Sequence, residues 1–168
     1  WGWGYEGIEA DADVVAFAEA ALAERLGWNR TAPETPIEAS SLVLPSPRVT
    51  LPAALAPLGD PSAHARASHA YGKSYRDLVR AMGGSFPSPP DVVALPATEE
   101  DVVRLLDFAA AEQIAVVPYG GGSSVCGGVE TDVGGAFRGT LSMDLTKLDR
   151  VLEIDDVSRA ARIQGGAL

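Results

Sequence analysis

The chain has 168 residues, 46% of them hydrophobic and 21% charged, the balance of a globular domain able to bury a core. Thirteen Lys and Arg against 23 Asp and Glu give a net charge of −10, which argues against nucleic acid and anionic membrane surfaces as partners. No run of about 18 apolar residues occurs, so no transmembrane segment is expected, and one cysteine leaves no internal disulfide and suits a reducing, cytoplasmic setting.

The opening, Trp1-Gly2-Trp3-Gly4-Tyr5, lacks the basic and apolar segments of a signal peptide and lacks an initiating Met, so the true start is expected upstream. Aromatics at this density are expected to dock rather than stay in solvent. Residues 11–26 read as a helix. Val14, Phe17, Ala18, Ala21 and Leu22 recur on one face, Asp11 and Asp13 suit its start, and Gly27 suits its end. Residues 31–61 carry seven prolines, Pro33, Pro36, Pro45, Pro47, Pro52, Pro57 and Pro61. Proline fixes φ and extends the residue before it, so an extended connector is expected, with one short strand at 40–44. Residues 1–60 are thus an amino-terminal helix with a Pro-rich extension, and 61–168 the main domain.

Ser74 and Asp77 have the S/T-x-x-D/E spacing of a capping box. They predict a helix with the stripe Tyr75, Leu78, Val79 and Met82, ended by Gly83-Gly84. A Pro-rich elbow at 87–90 leads to a buried strand at 91–96. Thr98 and Asp101 form a second capping box, and Val102, Leu105, Leu106, Ala109 and Ala110 form the buried face of its helix. A second buried strand follows at 114–118. Strand, helix and strand predict a parallel pair joined by a right-handed crossover. Beyond it, residues 126–139 are too Gly-rich for a helix, 141–145 read as a strand, and 151–155 with 160–164 as an antiparallel pair. A two-stranded ribbon is marginal alone, so the domain reads as cut at its carboxyl end.

The chemistry concentrates where the second strand ends, in Pro118-Tyr119-Gly120-Gly121-Gly122-Ser123-Ser124-Val125. Consecutive glycines let a backbone turn its N–H groups into a concave anion-binding nest, and the serines add hydroxyl donors. Phosphate or pyrophosphate is the natural guest; a plain Gly-rich connection is the competing reading. Gly122 is followed by no Lys, which rules out a P-loop. The glycines are contiguous and no amphipathic helix follows, which rules out a dinucleotide fingerprint of the G-x-G-x-x-G kind.

The pattern V-x-P-x-G-G-G-S-S-V, with the strand at 90–96 and the helix start Asp101-Val102-Val103 before it, resembles the flavin pyrophosphate loop of the vanillyl-alcohol oxidase / p-cresol methylhydroxylase superfamily. Within it the chain is most similar to the alkyldihydroxyacetonephosphate synthases and their bacterial relatives. The residues carrying this are the opening 1–5, the segment 66–78 with Gly72, Ser74, Asp77 and Leu78, and the tail 141–155. The resemblance implies an α+β fold, a p-cresol methylhydroxylase-type FAD-binding domain with a small parallel sheet, flanking helices and the start of a second, antiparallel subdomain. It implies that Pro118, Tyr119, Gly120, Gly121, Gly122, Ser123 and Ser124 hold FAD. Many members attach their flavin to a His at the position of Gly122, so non-covalent FAD is expected here. Cys126, just past the loop, is expected as a small buried hydrophobe.

The resemblance further implies a flavoenzyme that makes an ether lipid precursor through a flavin N5 adduct. Its substrate, a small or lipid-like molecule, would lie in a cap domain outside this chain, together with the catalytic residues. No residue here is assigned as catalytic or metal-binding; His64 and His69 are expected in local hydrogen bonding or in solvent, and Tyr119 either against the flavin or in the core. A homodimer of the full-length protein is an open alternative. Two other readings stand beside this one: an FAD-linked 2-hydroxy acid dehydrogenase or oxidase, whose relatives share a G-G pair like Gly127-Gly128, and a non-catalytic fragment that binds nucleotide weakly or not at all.

Overall fold

The computed structural model describes residues 10–28 and 37–167; the aromatic opening at 1–5 and the prolines at 33 and 36 lie outside the described residues. Helix α1 spans Ala12–Leu26 and closes on Gly27, whose left-handed backbone (φ 64°) lets its N–H donate to the Ala23 carbonyl. The helix forms where its periodicity predicts, yet none of its residues is buried, and Phe17 is 75% exposed.

Four strands make the main sheet: β1 (Gly59–Asp60), β2 (Val92–Ala94), β3 (Ile114–Tyr119) and β4 (Gly139–Asp144), in the order β1-β2-β4-β3. β2 and β3 both run parallel to β4, which lies between them, while β1 pairs antiparallel with β2. The two strands of the predicted strand–helix–strand unit, β2 and β3, are therefore parallel to each other, with the later strand β4 inserted between them. β5 (Val151–Asp155) and β6 (Ala160–Ile163) form a separate antiparallel hairpin with an irregularity between Val151 and Glu153. Asp155 turns it, accepting from the amides of Val157 and Ser158.

Helix α4 (Glu99–Ala111) starts on the Thr98–Asp101 capping box, both arms of which are present. Side chains alternate across a strand. One sheet face therefore presents Val92, Ala94, Ile114, Leu141 and Met143 to Leu105 and Ala109 of α4, with Val102 and Phe108 at the margin. Leu106 and Ala110 are exposed, so the buried stripe is rotated from the expected one toward Phe108.

The other sheet face meets α2 (Ala63–Ser68) and the His69 that follows it, and α3 (Tyr75–Met82) packs beside α2 through Ala81 and Ala67. That sheet face is polar as well as apolar: Thr140, Ser142 and Asp144 of β4 are all buried there. Ser62 caps α2 by accepting from the Ala65 amide, and the Ser74–Asp77 capping box of α3 is complete. The stripe expected to bury α3 does not do so. Tyr75, Val79 and Met82 are exposed, and Asp77 and Ala81 are the buried residues. Asp77 faces inward because it caps the helix and also accepts from Arg80, whose guanidinium lies 4.0 Å over the Tyr71 ring and bonds Glu130. Residues 40–44 are not a strand. Ala39–Ser41 form a single 3₁₀ turn, and Leu42 packs with Ala67, Tyr71 and Phe86.

Candidate cofactor site

Because β2, β3 and β4 are parallel, their carboxyl ends share one edge. Ligands of such sheets bind at that edge. Two features there could receive an anion. The start of α4 is one, but the Thr98 hydroxyl already takes the Asp101 amide there, and Glu99, Glu100 and Asp101 crowd it with negative charge. The glycine loop leaving Tyr119 is the other.

The loop has the form of a cradle. Gly121 and Ser123 are exposed, Gly122 is buried, and Gly122 adopts φ 64°. Among the described residues, the amides of Gly121, Gly122, Ser123 and Ser124 donate to no backbone or side-chain acceptor. Protein amides are rarely left in this state unless water or a ligand takes them. A Cβ on Gly120 would meet nothing nearer than the Gly165 carbonyl at 3.8 Å, so the approach over it is open.

The seven sequence-predicted residues take different places in this cradle. Pro118 is exposed and has no N–H to offer. Tyr119 turns away from the loop mouth: its hydroxyl donates to the Ser68 carbonyl at 3.2 Å and its ring lies 4.1 Å from that of His69. It is the core-facing tyrosine of the two alternatives, and burial pushes its phenol up. The Ser124 hydroxyl oxygen accepts from the Gly128 amide at 3.0 Å, and its carbonyl accepts from the Lys73 amide at 2.7 Å. Ser124 thus shapes the loop, whereas Ser123 points to solvent. Cys126 is exposed, contrary to the expectation that it is buried, because residues 125 and 126 ride on the outer side of the turn.

Sequence reasoning did not foresee what lies beneath the loop. His69, at the end of α2, is buried with Nδ1 2.8 Å from the Ala65 carbonyl and Nε2 3.0 Å from Asp144 Oδ2. Asp144 also accepts from the amide and hydroxyl of Thr146. Burial raises the Asp144 carboxyl, but the His69 and Thr146 hydrogen bonds outweigh it and hold the group below the usual carboxylate range. The signal was the parallel register that sets Tyr119 beside Asp144, which no local pattern reveals. His64 is exposed.

Residues 90–168 match the FAD binding domain family. The chain is 41% identical over 106 residues to the alkyldihydroxyacetonephosphate synthase of Trypanosoma brucei brucei, covering 63% of this chain and 17% of that protein. It is 36% identical over 104 residues to the synthase of Dictyostelium discoideum, covering 62% of this chain and again 17% of that one. A solved structure of an alkyldihydroxyacetonephosphate synthase aligns with a TM-score of 0.75 and 28% identity, over 92% of this chain and 30% of that one. The chain therefore spans 17% of the length of these curated relatives. A cradle of free amides at the carboxyl edge suits the pyrophosphate of a dinucleotide, and residues 90–168 are similar to the FAD binding domain family, a match that indicates FAD as the cofactor and agrees with the p-cresol methylhydroxylase-type fold.

Proposed function

We propose that residues 118–124 hold FAD non-covalently by its pyrophosphate, in an enzyme of the alkyldihydroxyacetonephosphate synthase type. The observation that carries this reading is the row of unpartnered amides from Gly121 to Ser124. These N–H groups would bind the anionic oxygens, with the exposed Ser123 hydroxyl as a further donor. Pro118 and Tyr119 end the strand and set where the turn begins. Gly122 offers no atom for a covalent link, and the Tyr119 ring fills the place where its side chain would stand.

When bound, the flavin would supply N5 as the reacting atom for replacing the acyl group of an acyl-dihydroxyacetone phosphate by a fatty alcohol, with no net redox. The substrate-binding groups belong to the greater part of such enzymes that this chain does not span. The division at residue 60 has a functional sense on this reading, since the loop and the residues beneath it fall in 61–168. No helix among the described residues is long and apolar enough to cross a membrane. A reducing, cytoplasmic setting suits the lone exposed thiol, and a homodimer of the full-length protein fits the same reading.

A visible spectrum of the full-length protein before and after acid precipitation tests this. A flavin spectrum whose chromophore moves into the supernatant as FAD supports it. A chromophore left in the pellet overturns the non-covalent assignment, and a colourless protein that takes up no FAD overturns the cofactor assignment. Bleaching of the flavin by 2-hydroxy acids without oxygen would favour the dehydrogenase reading instead.

A further inference from the structure

The glycine loop leans on one short segment, the turn between α2 and α3, at both of its ends. At the start, Tyr119 donates to the Ser68 carbonyl, its ring lies 4.1 Å from the imidazole of His69 and tilted 44° to it, and its phenol end fills the space where Gly122 would carry a side chain. At the far end, the Lys73 amide holds the Ser124 carbonyl, and Gly72 lies so close to that carbonyl that a Cβ would collide with it. Four residues of this segment, Ser68, His69, Gly72 and Lys73, therefore touch or back the loop at its two hinges. Ala70 is itself buried in the α2–α3 core.

His69 is the fixed point of this arrangement. One ring nitrogen is held by its own helix, through the Ala65 carbonyl, and the other by the sheet, through Asp144. An imidazole tied at both nitrogens cannot swing, so it presents a rigid face to Tyr119. We propose that His69 is a positioning residue for the FAD pyrophosphate loop: fixed between Ala65 and Asp144, it holds the Tyr119 ring, and through that ring the left-handed turn at Gly122, in the conformation that binds the anion. A preorganised loop does not have to be ordered at the moment of binding, which raises affinity without adding a contact. The inference rests on the reading that this loop binds FAD.

The test compares His69→Ala, Tyr119→Phe and Leu105→Ala with the unmodified full-length protein, measuring the FAD dissociation constant and the melting temperature without FAD. Leu105 is fully buried on the opposite sheet face and serves as the purely structural control. His69→Ala is expected to weaken FAD by about 10- to 100-fold, the usual scale for removing a group that orients a binding group. Tyr119→Phe, which loses only the bond to Ser68, is expected to weaken it less. Leu105→Ala is expected to lower the melting temperature and leave the affinity of the folded protein unchanged. If His69→Ala and Tyr119→Phe lower only the melting temperature, as Leu105→Ala does, the positioning role is overturned while the FAD assignment stands. If His69→Ala does not fold, Tyr119→Phe decides alone. An unmodified protein that takes up no FAD overturns both readings.

Discussion

The ring of Tyr119 occupies the space in which Gly122 would carry a side chain, and Gly122 is held at φ 64° directly beside it. Two independent penalties therefore fall on any substitution there. The left-handed backbone alone costs a non-glycine residue about 1–3 kcal/mol, and the collision with the phenol adds to it. Gly122→Ala is expected to lower the melting temperature and to abolish FAD uptake. Combining it with Tyr119→Leu relieves the collision but not the backbone penalty, so the double variant should recover part of the stability lost. Additive losses in thermal melts would show that the ring does not restrict this position.

The hinge at the other end makes a parallel case with a built-in control. A Cβ on Gly72 would strike the Ser124 carbonyl, which is backbone and cannot rotate aside, whereas one on Gly135 meets nothing within 4 Å. Gly72→Ala should displace the loop and weaken FAD binding. Gly135→Ala should leave binding intact and change stability by less than about 1 kcal/mol, in the stabilising direction, by restricting the unfolded chain. Fluorescence titration with FAD checks both. Equal behaviour of the two variants would remove the argument from close approach.

How far these relationships could be read in advance depended on their range. The capping boxes at Ser74 and Thr98, the helix stop at Gly27 and the hairpin turned by Asp155 are local, and each lies where its spacing placed it. The glycine loop was equally local, because its chemistry is in its own backbone. What the sequence did not disclose is set by pairing at a distance. β1 was hidden in a Pro-rich connector because it pairs with β2 through two residues only. Asp77 looked like the polar side of α3 and is its buried side, because Arg80 and the helix start satisfy it there. His69 was expected only in local hydrogen bonding or in solvent because its distant partners, Asp144 and Tyr119, stand about seventy-five and fifty residues further along the chain.

The polar layer between the sheet and the segments packed on it makes stability depend on pH in one direction. Asp91 is buried beneath Arg48. Burial raises its carboxyl, but the Arg48 guanidinium and the amides of Arg48 and Thr140 outweigh that and hold it below the ordinary range. Asp77 and Asp144 are lowered in the same sense, against the same opposing burial. A carboxyl with a depressed pKa in the folded state stabilises above its unfolded value of about 3.9, and that stability is lost as the pH falls toward the folded value. Urea unfolding should therefore show stability that is level near neutrality and falls steeply below about pH 5. Asp91→Asn should cost about 1–3 kcal/mol at neutral pH by leaving donors poorly matched. It should also make the acid slope shallower, and an unchanged slope would mean that this carboxylate is not the one being titrated.

Cys126 offers the most direct reading of where the loop lies. As a lone, apolar-leaning residue after a buried strand it was expected inside, and the turn carries it outside, with its sulfur 3.7 Å from the Ser124 hydroxyl. Exposure, rather than any property of the thiol, is what the geometry requires. A thiol reagent should therefore modify the native protein without prior unfolding, at a rate that does not rise when denaturant is added below the unfolding transition. Cys126 lies two positions beyond the last of the amides assigned to the pyrophosphate, that of Ser124, so saturating FAD should slow the modification by crowding the reagent. Modification that waits for global unfolding would put the cysteine back in the core and the loop in another conformation. Modification that is fast and indifferent to FAD would leave the cradle open to solvent and place the cofactor elsewhere along the sheet edge.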